Sequence, residues 1–204
     1  GDVEVPAEAY YGAQTQRAIN NFEISNLQFS KSFIDSLAII KRSAAITNSK
    51  LEKLDSKNAQ AIVKACDAIL NGKFNDQFKV DIFQTGSGTS SNMNMNEVIA
   101  NIASETLGGE LGSRKPIHPN DHVNLGQSSN DVIPSAIHIS VYSDLSKKLF
   151  PSLLNLEKSL LKKTNEFNDI IKIGRTHLQD ATPISLGQEF SGYVYQIKKS
   201  ITRL

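Results

Sequence analysis

A mainly α-helical fold is what this sequence predicts, and three observations carry the prediction. Apolar residues recur at helical spacing over long stretches, as in Phe33, Leu37, Ile40, Ala44, Thr47 and Leu51. Helix stop signals such as "NG" at 71–72 and "GG" at 108–109 close those stretches. Strand-like runs are confined to short segments, "DIF" at 81–83 and "IIKIG" at 170–174.

Taken in order, residues 1–28 are turn-rich and polar, and are expected to wrap other elements. A first helix follows from Ser32 onward. A second covers about 57–70, started by Asp55 or Ser56. A third is expected over 93–107. The segment 112–131 is loop by composition. A long helical region then runs from Asp131 to about Phe167, with Pro134 tolerated in its first turn and Pro151 expected to break or restart it. "RTHLQDATPIS" reads as a loop, and a final helix begins near Ser185. The organisation expected is an N-terminal helical domain over 1–128, followed by the start of a helical bundle over 129–204.

The 204 residues suffice for a real core, with 39% hydrophobic and 21% charged residues. A formal net charge of +1 gives no field that steers the chain to nucleic acid or to an anionic membrane. No run is apolar enough to span a bilayer. The single cysteine, Cys66, excludes a disulfide framework and a Cys-rich metal site, and its apolar surroundings mark it as a core residue. A reducing, cytoplasm-like compartment is expected. The chain opens on Gly1 and finishes inside a helical pattern with no stop, so it is expected to be part of a longer protein.

Three polar segments are rich in chemistry: "TGSGTSSNMNMNE" (85–97), "HPNDHVNLGQSSND" (118–131) and "GRTHLQD" (174–180). The first two lead hydroxyls and carboxamides directly into a helix. A helix start offers unpaired N–H groups and partial positive charge, and neutral side-chain donors beside it suit a carboxylate. The same composition is also that of an ordinary N-cap. The glycines of "TGSGT" match neither a Walker loop nor a dinucleotide fingerprint. Among the histidines, His138 lies in the apolar run "IPSAIHISVY" and is expected to be a packed core residue. His118 and His122 stand four apart, but Pro119 and the missing third ligand argue against a metal. His177, in a polar loop with Asp180 close by, is suited to acid–base work.

Together, "QTGSGTSSNMNMNEVIAN", "HPNDHVNLGQSSNDVIPSAIH" and "GRTHLQDATPISLGQEFSGY" resemble, in order and spacing, the class II fumarase branch of the fumarase/aspartase superfamily. "VPAEAYYGAQTQRAINNF" is similar to that family's N-terminal segment, so the resemblance covers nearly the whole chain. It implies a fumarase/aspartase-like fold and reversible hydration of fumarate to L-malate in a homotetramer, with no metal and no organic cofactor. The residues it implies for substrate are Ser87, Gly88 and Thr89, then Asn92, then Ser128, Ser129 and Asn130, and Thr176. His177 is implied as the catalytic group acting on water. His118, Pro119, Asn120 and Asp121 match a second, non-catalytic dicarboxylate site.

The family's signature Gly-Ser-Ser loop, which carries a serine base and a substrate-pairing lysine, is not within these 204 residues. The chain alone is therefore expected to be inactive. An aspartase-type ammonia-lyase is the nearest alternative, although His177 and Ser129 stand where aspartases usually carry Gln and Thr. A helical assembly module without catalysis is the other alternative. The compartment implied is the cytoplasm, with the mitochondrial matrix as alternative.

Overall fold

Helical spacing becomes helix wherever it is strong. The computed structural model describes residues 2–204. Among them lie α1 (Ala13–Asn21), α2 (Lys31–Lys50), α3 (Ser56–Leu70), α4 (Thr89–Thr106), α5 (Ser129–Asp144), α6 (Phe150–Glu166), β1 (Ile171–Thr176), β2 (Gln179–Ser185) and α7 (Leu186–Arg203). Contacts divide the chain into two units, one ending at Val141 and one running Tyr142–Leu204. The division falls inside α5, thirteen residues beyond the 128/129 boundary that the composition suggests.

In the first unit, α2, α3 and α4 pack on one another around Leu37, Ile62, Ile69, Met95, Val98 and Ile99, all fully buried. Burying such side chains contributes about 1.5–3 kcal/mol each. Local signals set the helix ends: Ser30 accepts from the Phe33 N–H, and Asp55 accepts from those of Lys57 and Asn58. The turn after α3 needs Gly72, whose φ is +85°.

Helix α4 begins at Thr89, four residues ahead of the expected start, and is buried on nearly every side. Its polar side chains serve as anchors for the loops around it. Asn94 donates to the Gln77 carbonyl, Asn101 to that of Tyr10, and Ser104 holds both Ile117 backbone groups. Glu97 accepts from the N–H groups of Gly12, Gln14 and Thr15 and from the Thr15 hydroxyl. The N-terminal segment thus contains a helix, α1, whose start is capped by a carboxylate from α4. Gly12 is required there, because a Cβ would lie 2.8 Å from Glu97 Oε1.

Several expectations are corrected. "DIF" forms no strand: the Asp81 carboxylate accepts from Ser25 N–H, Ser25 Oγ and Phe83 N–H, and so bends the chain. The loop 112–131 contains a π-helical turn, Pro119–Val123. His138 is exposed, as are Ile137 and Val141 beside it, because only Val132, Ala136 and Ser140 of α5 face inward. Helix α5 starts two residues before Asp131, which moves Pro134 beyond the first turn into the helix.

In the second unit, helix continues through Pro151. A π-helical turn over Leu145–Leu149 precedes it, and the Phe150 N–H reaches back to the Leu145 carbonyl. The wider turn relieves the clash of a proline ring with the carbonyl four residues earlier. "RTHLQDATPIS" is a hairpin turn and strand rather than a loop: it ends β1, turns at His177–Leu178 and forms β2, the two strands pairing antiparallel with Ile171 opposite Ser185 and Thr176 opposite Gln179. The ladder slips at Gly174, where a Cβ would lie 2.7 Å from the Thr182 carbonyl. Ser185 and Gln188 then form a capping box that starts α7, which packs along α6.

Candidate functional site

The loop before α4 is a tight turn. Gly88 N–H donates to the Thr85 carbonyl at 2.8 Å, and Gly88 itself has φ +68°. A Cβ at this position would sit 2.9 Å from Ile133 Cγ1, so the turn is seated directly on α5. Glycine is needed here for both conformation and clearance. Ser87 Oγ and Thr89 Oγ1 lie 2.9 Å apart, and both residues are exposed. Gln84 folds back on the same helix start, accepting from Ser91 N–H and donating to Ser91 Oγ. It occupies one of the N–H groups that the sequence offers to an anion.

The second loop arrives at the same place. The Ser128 carbonyl accepts from Val132 N–H and its hydroxyl from Asn130 N–H, which makes Ser128 the cap of α5. Ser128 and Asn130 are exposed, Ser129 half-buried. Asn92, buried on α4, donates to Ser129 Oγ at 3.1 Å and to Asn124 Oδ1 at 3.3 Å. The starts of α4 and α5 are therefore joined twice, through Gly88 on Ile133 and through Asn92 on Ser129. Ser87, Gly88, Thr89, Asn92, Ser128, Ser129 and Asn130 form one polar cluster in the first unit.

The remainder of "NMNMNE" lies elsewhere. Asn94 and Glu97 are loop anchors, and Asn96 makes its contact with Met93. In the second segment His118 caps the π-helical turn, its Nδ1 3.2 Å from Asp121 N and 3.1 Å from Asp121 Oδ2. His118 N–H in turn donates to His122 Nδ1 at 2.8 Å. Pro119 is buried at the start of that turn, while Asn120 and Asp121 are exposed. Among the described residues no group of three or more His, Cys, Asp and Glu is arranged to hold a metal.

In the second unit Thr176 closes the hairpin, its hydroxyl donating to the Gln179 carbonyl at 3.2 Å. His177 and Leu178 form the two-residue turn, with Leu178 at φ +61° and 89% exposed. His177 is also exposed. Asp180 pairs with Arg175 at 2.7 Å, so that carboxylate is engaged across the hairpin.

Two residues of the first cluster escape a reading of the sequence. Lys41 is fully buried, and its Nζ donates to Asn124 Oδ1 at 2.8 Å. Burial pushes its ammonium down to about 7, opposed by the neighbouring Cys66 sulfur. The thiol of Cys66 is itself pushed up to about 12, first by burial. A signal for Lys41 was present: it continues the buried stripe Leu37, Lys41, Ala45 of α2, where an apolar residue belongs. Asn124 carries no signal, being one amide in a polar loop.

A family profile described as Lyase matches residues 1–204. The chain belongs to this lyase family. It is 54% identical to the class II fumarate hydratase of Halobacterium salinarum, over 100% of this chain and 43% of that protein. It is 53% identical to that of Nitrosomonas europaea, over 100% of this chain and 44% of that protein. The chain thus spans less than half the length of these relatives. Among solved structures, a fumarate lyase:delta crystallin from Brucella melitensis matches with a TM-score of 0.96 at 44% identity, over 100% of this chain and 47% of that one. The class II fumarase of Schistosoma mansoni matches with a TM-score of 0.94 at 48% identity, over 99% and 43%. The fold is the mainly helical fumarase-type fold expected from the sequence.

Proposed function

We propose that these 204 residues belong to a fumarate hydratase that adds water reversibly across the double bond of fumarate to give L-malate. The observation that carries this reading is the joining of two hydroxyl- and amide-rich helix starts at Gly88–Ile133 and Asn92–Ser129. Neutral donors gathered at helix N-termini suit a small dicarboxylate. Identity above 50% to class II fumarate hydratases supports the choice of acid.

In this reading Ser87, Gly88 and Thr89, with Ser128, Ser129 and Asn130, hold carboxylate oxygens, and Asn92 lines the same pocket. Thr176 adds a hydrogen bond. His177 takes a proton from the attacking water as its oxygen bonds to one alkene carbon. A proton reaches the other carbon, and the charge that builds on the adjacent carboxylate is met by donors already aimed at it. The serine base and the substrate-pairing lysine of the family belong to a loop outside these residues. The working protein is then a homotetramer, and the isolated chain is inactive. His118 to Asp121 are assigned to a second dicarboxylate site, and the 1–128 and 129–204 segments to the lyase domain and the start of the bundle. A cytoplasmic setting fits the buried free thiol of Cys66. No helix among the described residues is long and apolar enough to cross a membrane.

The test is turnover of the full-length protein, followed by the ultraviolet absorbance of fumarate. His177→Gln is expected to lower kcat at least about a hundredfold, the scale of lost general acid–base catalysis. Unchanged turnover in that variant, or release of ammonia from L-aspartate with no dehydration of malate, overturns the assignment.

A further inference from the structure

A buried lysine with no acid beside it requires an explanation. Among the described residues, no carboxylate lies within ion-pair distance of Lys41 Nζ, and its hydrogen bond goes to a neutral amide oxygen, Asn124 Oδ1. Burying an ammonium this way is costly, and a methionine of similar length would fill the same space. What the lysine has and methionine lacks is a fixed direction of donation, since a protonated ammonium can only donate.

That direction propagates. Facing Lys41, Asn124 must present its oxygen, and its Nδ2 then donates to the Gln127 carbonyl at 3.1 Å. The same oxygen also accepts from Asn92 Nδ2 at 3.3 Å, which fixes the Asn92 amide in turn. Asn92 Nδ2 thereby also faces Ser129 Oγ, at 3.1 Å. The orientation has a cost: Asn92 Oδ1 is buried with no partner. Rotating the amide by half a turn would bring its oxygen against Asn124 Oδ1, two acceptors face to face. Ser129 Oγ therefore accepts from the protein, and its hydrogen is free for another acceptor.

We propose that Lys41 is a positioning residue that sets the polarity of the chain Lys41–Asn124–Asn92–Ser129, so that the Ser129 hydroxyl donates to a carboxylate of the bound dicarboxylate. The inference rests on the dicarboxylate reading above. Lys41 touches no substrate in this scheme; it acts through two amides.

The experiment is a double-mutant cycle on the full-length protein, with kcat and KM for fumarate and thermal unfolding measured for each variant. Lys41→Met is expected to raise KM about tenfold in the parent, the scale of one misdirected hydrogen bond to a charged group. In a Ser129→Ala background the same substitution changes KM less than about twofold, because the hydroxyl it directs is gone. An equal effect in both backgrounds, or a loss of stability with KM unmoved, overturns the proposal and leaves Lys41 a packing residue. Should Lys41→Met fail to fold, Asn124→Ala replaces it in the cycle with the same expectations. Asn124→Asp, which keeps an acceptor facing both Lys41 and Asn92, is expected to recover most of what Asn124→Ala loses, and no recovery counts against the scheme. A parent protein without turnover on fumarate sinks the dicarboxylate reading and this inference with it. An active parent with an additive cycle sinks this inference alone.

Discussion

Leu37, Ile62, Ile69, Met95 and Ile99 in the first unit are sealed from solvent, whereas Leu154, Leu156, Leu161, Ile171 and Tyr195 in the second stay exposed, Ile171 at 71%. Both units are written with the same helical periodicity of apolar residues. The difference is what faces them. In the first, α4 is enclosed by α1, α2, α3 and the π-helical turn. In the second, α6 and α7 cover each other along one stripe, with Phe167 edge-on to Phe190 at 5.3 Å and Gly187 pressed against the Thr164 carbonyl. Their remaining stripes have no covering element within the unit. Periodicity thus predicts a helix but does not say whether its partner lies in the same unit. The open stripes fit the proposed tetramer, in which further helices would cover them.

Paired truncations break this contrast most directly. Ile99→Ala is expected to lower the unfolding free energy of the chain by about 3 kcal/mol in urea titrations, and Leu161→Ala by less than about 1 kcal/mol. Equal losses would mean that the second unit has a core of its own.

The next effect is a pH dependence belonging to the first unit. Lys41 sits at about 7 when folded, against an ordinary 10.5 when unfolded. Between those values the unfolded chain binds more protons, so stability rises as pH climbs from about 7 toward 10.5 and is lost again as pH falls across that interval. Above the ordinary thiol value of 9, Cys66, pushed up to about 12, acts in the opposite sense. A gain on the order of 2 kcal/mol is therefore expected across roughly pH 7.5 to 9. Lys41→Met flattens that rise, and a rise that persists in the variant rules out Lys41 as its source.

The smallest effect tests the second unit, where local signals carry more of the structure. Ser185→Ala removes one arm of the capping box and is expected to cost about 1 kcal/mol. Amide exchange should speed up in the first turn of α7 ahead of the rest of the chain. Uniform exchange across both units would show that the hairpin and α7 do not open on their own.

What the sequence made legible follows from the range of the forces involved. Caps and stops are local, so Asp55, Gly72 and Ser185 are placed closely from neighbours alone. The hairpin was missed because its second strand carries Pro183 and mostly polar residues; what forms it is the register against β1. The restart expected at Pro151 is present, since α6 begins at Phe150 with the proline in its first turn, but the π-helical turn that joins α6 to α5 leaves no mark in residue pattern. His138 reads as a core residue because its neighbours are apolar, yet half of that run is exposed. In the polar cluster, the loops were visible as hydroxyls beside helix starts, and family wording singled out Asn92 from Asn94 and Asn96. Only folding turns Asn94 and Asn96 elsewhere and brings Lys41 to Asn124 across 83 positions of sequence.

The cap that Glu97 supplies to α1 has a consequence for the order of assembly. A nine-residue helix whose own N-cap is a glycine with no side-chain bond is marginal in isolation. Gly12 meets its acceptor 85 positions later. During synthesis the ribosome must therefore deliver α4 before α1 can settle, and α1, though made before α4, becomes permanent only after it.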